Sequence, residues 1–267
     1  MSTSQKAIEQ CKADRRAALI GYLPAGYPDV DGSIAALRAM VAAGVDLVEI
    51  GLPYSDPVMD GPVIQQATQQ ALAAGFRVRD LFRVVEAVAE VAPTLVMTYW
   101  NPVERRGVEE FAGALADAGG AGLITPDLIP DEADEWFAAS DKHGLDRVFV
   151  VAPSSTDERI ALTTKASRGF VYAASLMGVT GARSEVSAAG SALVDRVRAA
   201  TTLPVGLGLG VSTGAQAAEI AGFADGVIVG SAFVRCLLDA TDPVAGVDAV
   251  SALAAELATG VRESAAR

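Results

Sequence analysis

The chain holds one histidine, His143, two cysteines, Cys11 and Cys236, and four lysines, Lys6, Lys12, Lys142 and Lys165. Each scarcity removes a kind of chemistry. His143 stands beside Gly144 at the polar end of a helix-like stretch, which suits a solvated cap better than catalysis. That disfavours a Ser-His-Asp triad and histidine-ligated metals. The cysteines are far apart and match no zinc or redox spacing, so reduced thiols are expected. All four lysines fall in helical stretches rather than at strand ends, where a Schiff-base lysine would have to be desolvated. Positive charge is also scarce: 21 Lys and Arg face 33 Asp and Glu, a net charge of −12. Such a chain repels nucleic acid and anionic membrane surfaces. No apolar run reaches the roughly 18 residues of a membrane span. The opening MSTSQKAIEQCKADRR is too polar for a secretory signal, so a cytoplasmic location is expected.

What is abundant is alternation. Short apolar runs at 17–23, 45–52, 94–100, 122–128, 147–153, 169–175, 204–210 and 226–232 read as strands. Ala-rich helical segments such as 33–44 and 131–144 lie between them. Strands alternating with helices imply parallel βαβ units. Eight such units in this length predict an α/β TIM (β/α)8 barrel. A doubly wound sheet is the alternative. No linker or charge block divides the chain, so one domain over 1–267 is expected, with an additional helix near 3–14.

The remaining tools are carboxylates, hydroxyls and backbone amides. The stretch VEIGLPYSDPVMDGP, 48–62, places Glu49 inside an apolar strand and Asp56 and Asp60 just beyond it. If Leu47, Glu49 and Gly51 point into a barrel, Glu49 projects near the C-terminal mouth, where barrel sites sit. Burial raises a carboxyl's pKa and keeps it able to exchange protons near neutrality. The bland alternative is a structural Glu bonded to a neighbour. Asp60 reads as a second acid or as a helix-cap residue before Pro62. Asp56 before Pro57 reads as turn chemistry or as function. A second constellation is glycine-rich: GVTG (178–181), GLGV (208–211) and GSA (230–232) follow strands six, seven and eight. Glycines there let amides approach a phosphate, and Ser231 adds a hydroxyl; ordinary turns are the alternative. The run GLGLGVSTG, 206–214, is a weak dinucleotide signal, with no acid about 20 residues on.

Six stretches resemble one family in order: VEIGLPYSDPVMDGPVIQQA, TYWNP, GLITPDLIP, SLMGVTGAR, GLGVS and GSAFV. The family is the α subunit of tryptophan synthase. The resemblance implies a TIM barrel that cleaves indole-3-glycerol phosphate to indole and glyceraldehyde 3-phosphate by retro-aldol chemistry. It implies no cofactor in this chain; pyridoxal phosphate belongs to a partner β subunit, in an αββα heterotetramer. It places Glu49 and Asp60 at the catalytic positions. Tyr22, Tyr172, Thr180 and Leu209 fall beside the substrate, and Gly181, Gly210, Gly230 and Ser231 on the phosphate positions. Pro53 and Asp56 fall on a loop that couples to the partner. The sequence departs from the family's usual residues at Leu209, Pro24, Met59 and Ile129. A phosphosugar isomerase and a non-catalytic, phosphate-binding regulatory subunit are the rival readings; release of indole separates them.

Overall fold

The computed structural model describes residues 1–175 and 183–263. The chain opens with helix α1 (Thr3–Ala13) and strand β1 (Ala18–Pro24). There follow α2 (Val30–Ala42), β2 (Leu47–Gly51), α3 (Pro62–Ala73), α4 (Val78–Ala89) and β3 (Thr94–Met97). Next come α5 (Trp100–Arg106), α6 (Val108–Asp117), β4 (Gly122–Thr125), α7 (Asp134–His143), β5 (Asp146–Val151) and α8 (Asp157–Ala166). The last third holds β6 (Val171–Ala174), α9 (Arg183–Ala200), β7 (Val205–Gly208), α10 (Gly214–Ala221), β8 (Gly226–Val229), α11 (Ser231–Leu238) and α12 (Pro243–Glu263). The strands close in sequence order, each parallel to the next, with β8 returning to β1. The doubly wound alternative is thereby excluded, and the TIM barrel stands.

Alternation along the strands divides the core in two. Ile20, Leu47, Leu95, Ile124, Val148, Phe170 and Ile228 pack together inside the barrel. Val48, Ile50, Val96 and Leu123 join the larger cluster beneath the helices. Helix α1 seals the floor: Ile8 and Cys11 pack into the inner cluster. Its N-terminus is held by the buried Asp146 carboxylate, which accepts hydrogen bonds from the Ser4 amide (3.2 Å) and hydroxyl (2.5 Å). An anion at a helix N-terminus also favours the helix dipole.

Several strands are shorter than their apolar runs. Strand three ends at Met97 and strand eight at Val229, because Trp100 and Ser231 already begin helices. Helix α12 corrects the reading of apolar runs. It is long and apolar enough to cross a membrane, with a mean hydropathy of 1.4 over its best window. Asp248, Glu256 and Arg262 break the run and hid it. Here its buried residues Val250, Ala254, Leu257, Ala258 and Val261 recur at helical spacing, the pattern of one face laid on a core. Gly260 sits so close to α10 that a Cβ would stand 2.1 Å from the Gly214 carbonyl oxygen.

Candidate active site

Glu49 is the third residue of β2, in register with Tyr22 on β1 and Leu95 on β3. Leu47, two residues earlier, lies in the inner cluster, so Glu49 faces the same interior one layer higher, toward the mouth. It is fully buried, and neither carboxylate oxygen has a hydrogen-bond partner among the described residues. Desolvation pushes its pKa up from 4.5 to about 8. An unpaired buried acid is costly to a fold, and a structural Glu would have found a partner. Among the described residues the bonded, structural alternative has no partner to offer.

Asp60 faces the same space from the β2–α3 loop. Tyr99, just past β3, donates its hydroxyl to Asp60 Oδ1 (3.1 Å) and accepts from the Met59 amide (2.9 Å). Gln65 on α3 donates to the Asp60 carbonyl (2.7 Å). Burial raises the Asp60 pKa and the Tyr99 hydrogen bond opposes that rise. The two acids therefore differ in kind: one is isolated in apolar surroundings, the other is held by a phenol. Sequence reasoning missed Tyr99, although it lies within the TYWNP stretch directly after a strand, where barrel side chains reach the mouth.

Both acids line one cavity of about 230 Å³ at the C-terminal end of the strands. Tyr22, Tyr172, Leu209, Gly210, Gly230 and Ser231 line it too, joined by Met59 and Met97. Each tyrosine ring rests over a glycine on the next strand. A Cβ on Gly51 would stand 2.1 Å from the Tyr22 hydroxyl, and one on Gly208 would stand 2.7 Å from the Tyr172 hydroxyl. Burial raises both phenols well above 10; the next causes are Asp60 and then Glu49 for Tyr22, and Glu49 for Tyr172. At the far end Gly210 takes φ +66°, a conformation glycine adopts without strain. Gly230 is the N-cap of α11 and Ser231 its first residue. The first amides of a helix have no intrahelical acceptor, so they suit an anion.

Thr180 and Gly181 lie outside the described residues. Pro53 is buried at the base of the β2–α3 loop, and neither it nor Asp56 lines the cavity. Asp56 is exposed and accepts from the Ser55 hydroxyl (2.5 Å). It faces a second cleft with Tyr54, Asn101, Arg105 and Arg106. A larger cavity, about 490 Å³ between Tyr27, Leu237 and Val247, is mostly apolar and contains no buried acid. His143 is the last residue of α7, which Gly144 caps, and it bonds Glu109 (2.9 Å); both cysteines are free.

The sequence profile of the tryptophan synthase alpha chain family matches residues 8–262. The chain belongs to that family. The tryptophan synthase alpha chain of Salinispora arenicola (strain CNS-205) is 64% identical over 263 residues, 98% of each chain. That of Thermobifida fusca (strain YX) is 59% identical over 269 residues, covering 99% of this chain and 100% of the relative. A structure of Mycobacterium tuberculosis tryptophan synthase superposes with a TM-score of 0.91 at 59% identity, over 98% of this chain and 98% of that one. The alpha subunit from Legionella pneumophila str. Paris reaches 0.89 at 32% identity, over 98% and 99%. Membership in the tryptophan synthase alpha family makes the chain a lyase of tryptophan biosynthesis.

Proposed function

We propose that this chain cleaves indole-3-glycerol phosphate at the mouth cavity, with Glu49 and Asp60 as its working acids. The observation that carries the reading is the unpaired, buried Glu49 carboxyl sharing one cavity with Asp60 and a glycine-lined anion end. Cleavage needs a proton added at indole C3 and one removed from the hydroxyl on the neighbouring carbon. The O–H electron pair becomes the aldehyde C=O. The electrons of the broken C–C bond return to the ring, whose nitrogen carries the transient positive charge. Indole is its own electron sink, so this route calls for neither a Schiff base nor a cofactor in this chain. Glu49, with a pKa of about 8, holds a proton near neutrality: it gives that proton to indole C3 and, as carboxylate, takes the one from the neighbouring hydroxyl. Asp60 accepts the ring N–H and stabilises its charge, exchanging the Tyr99 hydroxyl for the substrate. The phosphate lies against Gly210, Gly230 and Ser231.

The partner is a β subunit, which carries the pyridoxal phosphate, in an αββα assembly. Val58 (79% exposed), Met59 (46%) and Ile129 (42%) offer apolar contacts on the barrel face that holds the cavity. The test is indole release from indole-3-glycerol phosphate. Wild type releases indole; Glu49→Gln still binds substrate but loses at least about 10²-fold in rate, the low end for acid–base groups. Activity of the variant within about tenfold of wild type overturns the assignment.

A further inference from the structure

Among the described residues the Tyr22 hydroxyl is a donor without an acceptor. Tyr99 is bonded to Asp60, and Tyr54 accepts from Asn101. Tyr22 makes no hydrogen bond among the described residues, yet it is only 7% exposed and lines the cavity. The hydroxyl opens onto the cavity and is left for a ligand there to engage. Two neighbouring strands and a glycine fix its position. Tyr22 and Glu49 are register partners on adjacent strands, about 4.8 Å apart across the ladder. Near its root the ring runs alongside Gly230, where a Cβ would meet Tyr22 Cδ1 at 3.2 Å. At its tip the hydroxyl rests over Gly51, which only a residue without a Cβ permits. The ring thus extends from the anion end toward the carboxylates. A chain of atoms between a phosphate at Gly230 and a proton donor at Glu49 must pass along it.

We infer that Tyr22 is a third catalytic group: its hydroxyl donates to the substrate's reacting hydroxyl oxygen and stabilises that oxygen as Glu49 removes its proton. The inference rests on the cleavage reading above. The phenol stays protonated throughout; the proton that leaves the substrate goes to Glu49, and the oxygen becomes the aldehyde carbonyl, still accepting from Tyr22. Buried beside two acids, the phenol cannot ionise near neutrality, so it remains a donor.

The test is Tyr22→Phe in the full chain, with and without a cognate β subunit. The lost interaction strengthens as charge develops on oxygen, so kcat falls about 100-fold, the low end for such donors, while KM stays within about threefold. Indole-3-propanol phosphate keeps the ring and the phosphate but lacks both glycerol hydroxyls; it binds wild type and variant equally. A second variant, Gly51→Ala, keeps the phenol but pushes its hydroxyl off its seat, and shows the same kcat loss. Three results overturn the inference: kcat of Tyr22→Phe within about threefold of wild type, a rise in KM with kcat unchanged, or a parallel loss of analogue affinity. The last would make Tyr22 a wall of the pocket. A wild-type chain that releases no indole overturns the cleavage reading itself.

Discussion

Glu49 opposes folding at the pH where it works. Its carboxyl binds a proton more tightly in the fold, at about 8, than in the unfolded chain, at 4.5. Below 4.5 both states hold the proton and nothing is lost. As pH climbs from 4.5 to about 8 the unfolded chain sheds its proton freely while the folded chain resists, so stability falls across that window. Glu49→Gln removes the titration and keeps the shape. Its melting temperature should exceed that of wild type by several degrees near pH 8 and by much less near pH 5. A gain that does not change with pH would mean that the carboxyl titrates normally. The same residue sets the alkaline limb of activity. A carboxyl that first gives its proton to indole C3 must hold it, so kcat/KM should fall as pH rises through about 8.

Glycines shape the next level up. Gly51 and Gly208 carry no side chain because tyrosines from neighbouring strands occupy their space. Strand endings follow the same logic: β8 yields to α11 at Gly230, so the apolar run GVIVGSA spans a strand, a turn and a helix start. Helix α1 is the clearest case of an element defined by what it covers. It has no acid in its first turn and no side-chain cap; Asp146 from β5 supplies the missing charge. Ile8→Ala should therefore open a cavity under the barrel and cost about 2–5 kcal/mol, on the order of 10 °C in melting temperature. Activity per folded molecule should hold, since Ile8 lies at the opposite end of the barrel from Glu49. Thermal melting with an indole assay on the surviving fraction checks both halves.

At the scale of the whole molecule, the β2–α3 loop joins the chemistry to the surface. Asp60 and Asp56 lie four residues apart, one in the cavity and one exposed. If docking shifts the loop toward a closed state, the isolated chain is slow and the β subunit accelerates it. Asp56→Ala should then reduce the accelerated rate at least about fivefold and leave the basal rate within about twofold. Asp60→Asn should depress both rates, because it removes charge from the site itself. An equal loss in both rates for Asp56→Ala would make Asp56 ordinary turn chemistry with Ser55.

Linear pattern pointed to the barrel, leaving a doubly wound sheet open, to the direction in which Glu49 points and to the glycine-rich ends at 208–211 and 230–232. These follow from periodicity: a strand alternates every two residues, and eight βα units of this length close into one architecture. The pattern also marked Asp60, through its place just past a strand in a Gly- and Pro-bounded loop. Folding in three dimensions was needed to establish that Glu49 has no partner among the described residues, that Tyr99 holds Asp60 and that Tyr22 lines the same cavity. The same holds for α12, which lays its apolar face on α2 and α10. Desolvation and hydrogen bonding depend on which distant segments meet, and residues 39 to 42 positions apart, such as Tyr99 with Asp60 or Gly214 with Glu256, are neighbours only after the barrel closes.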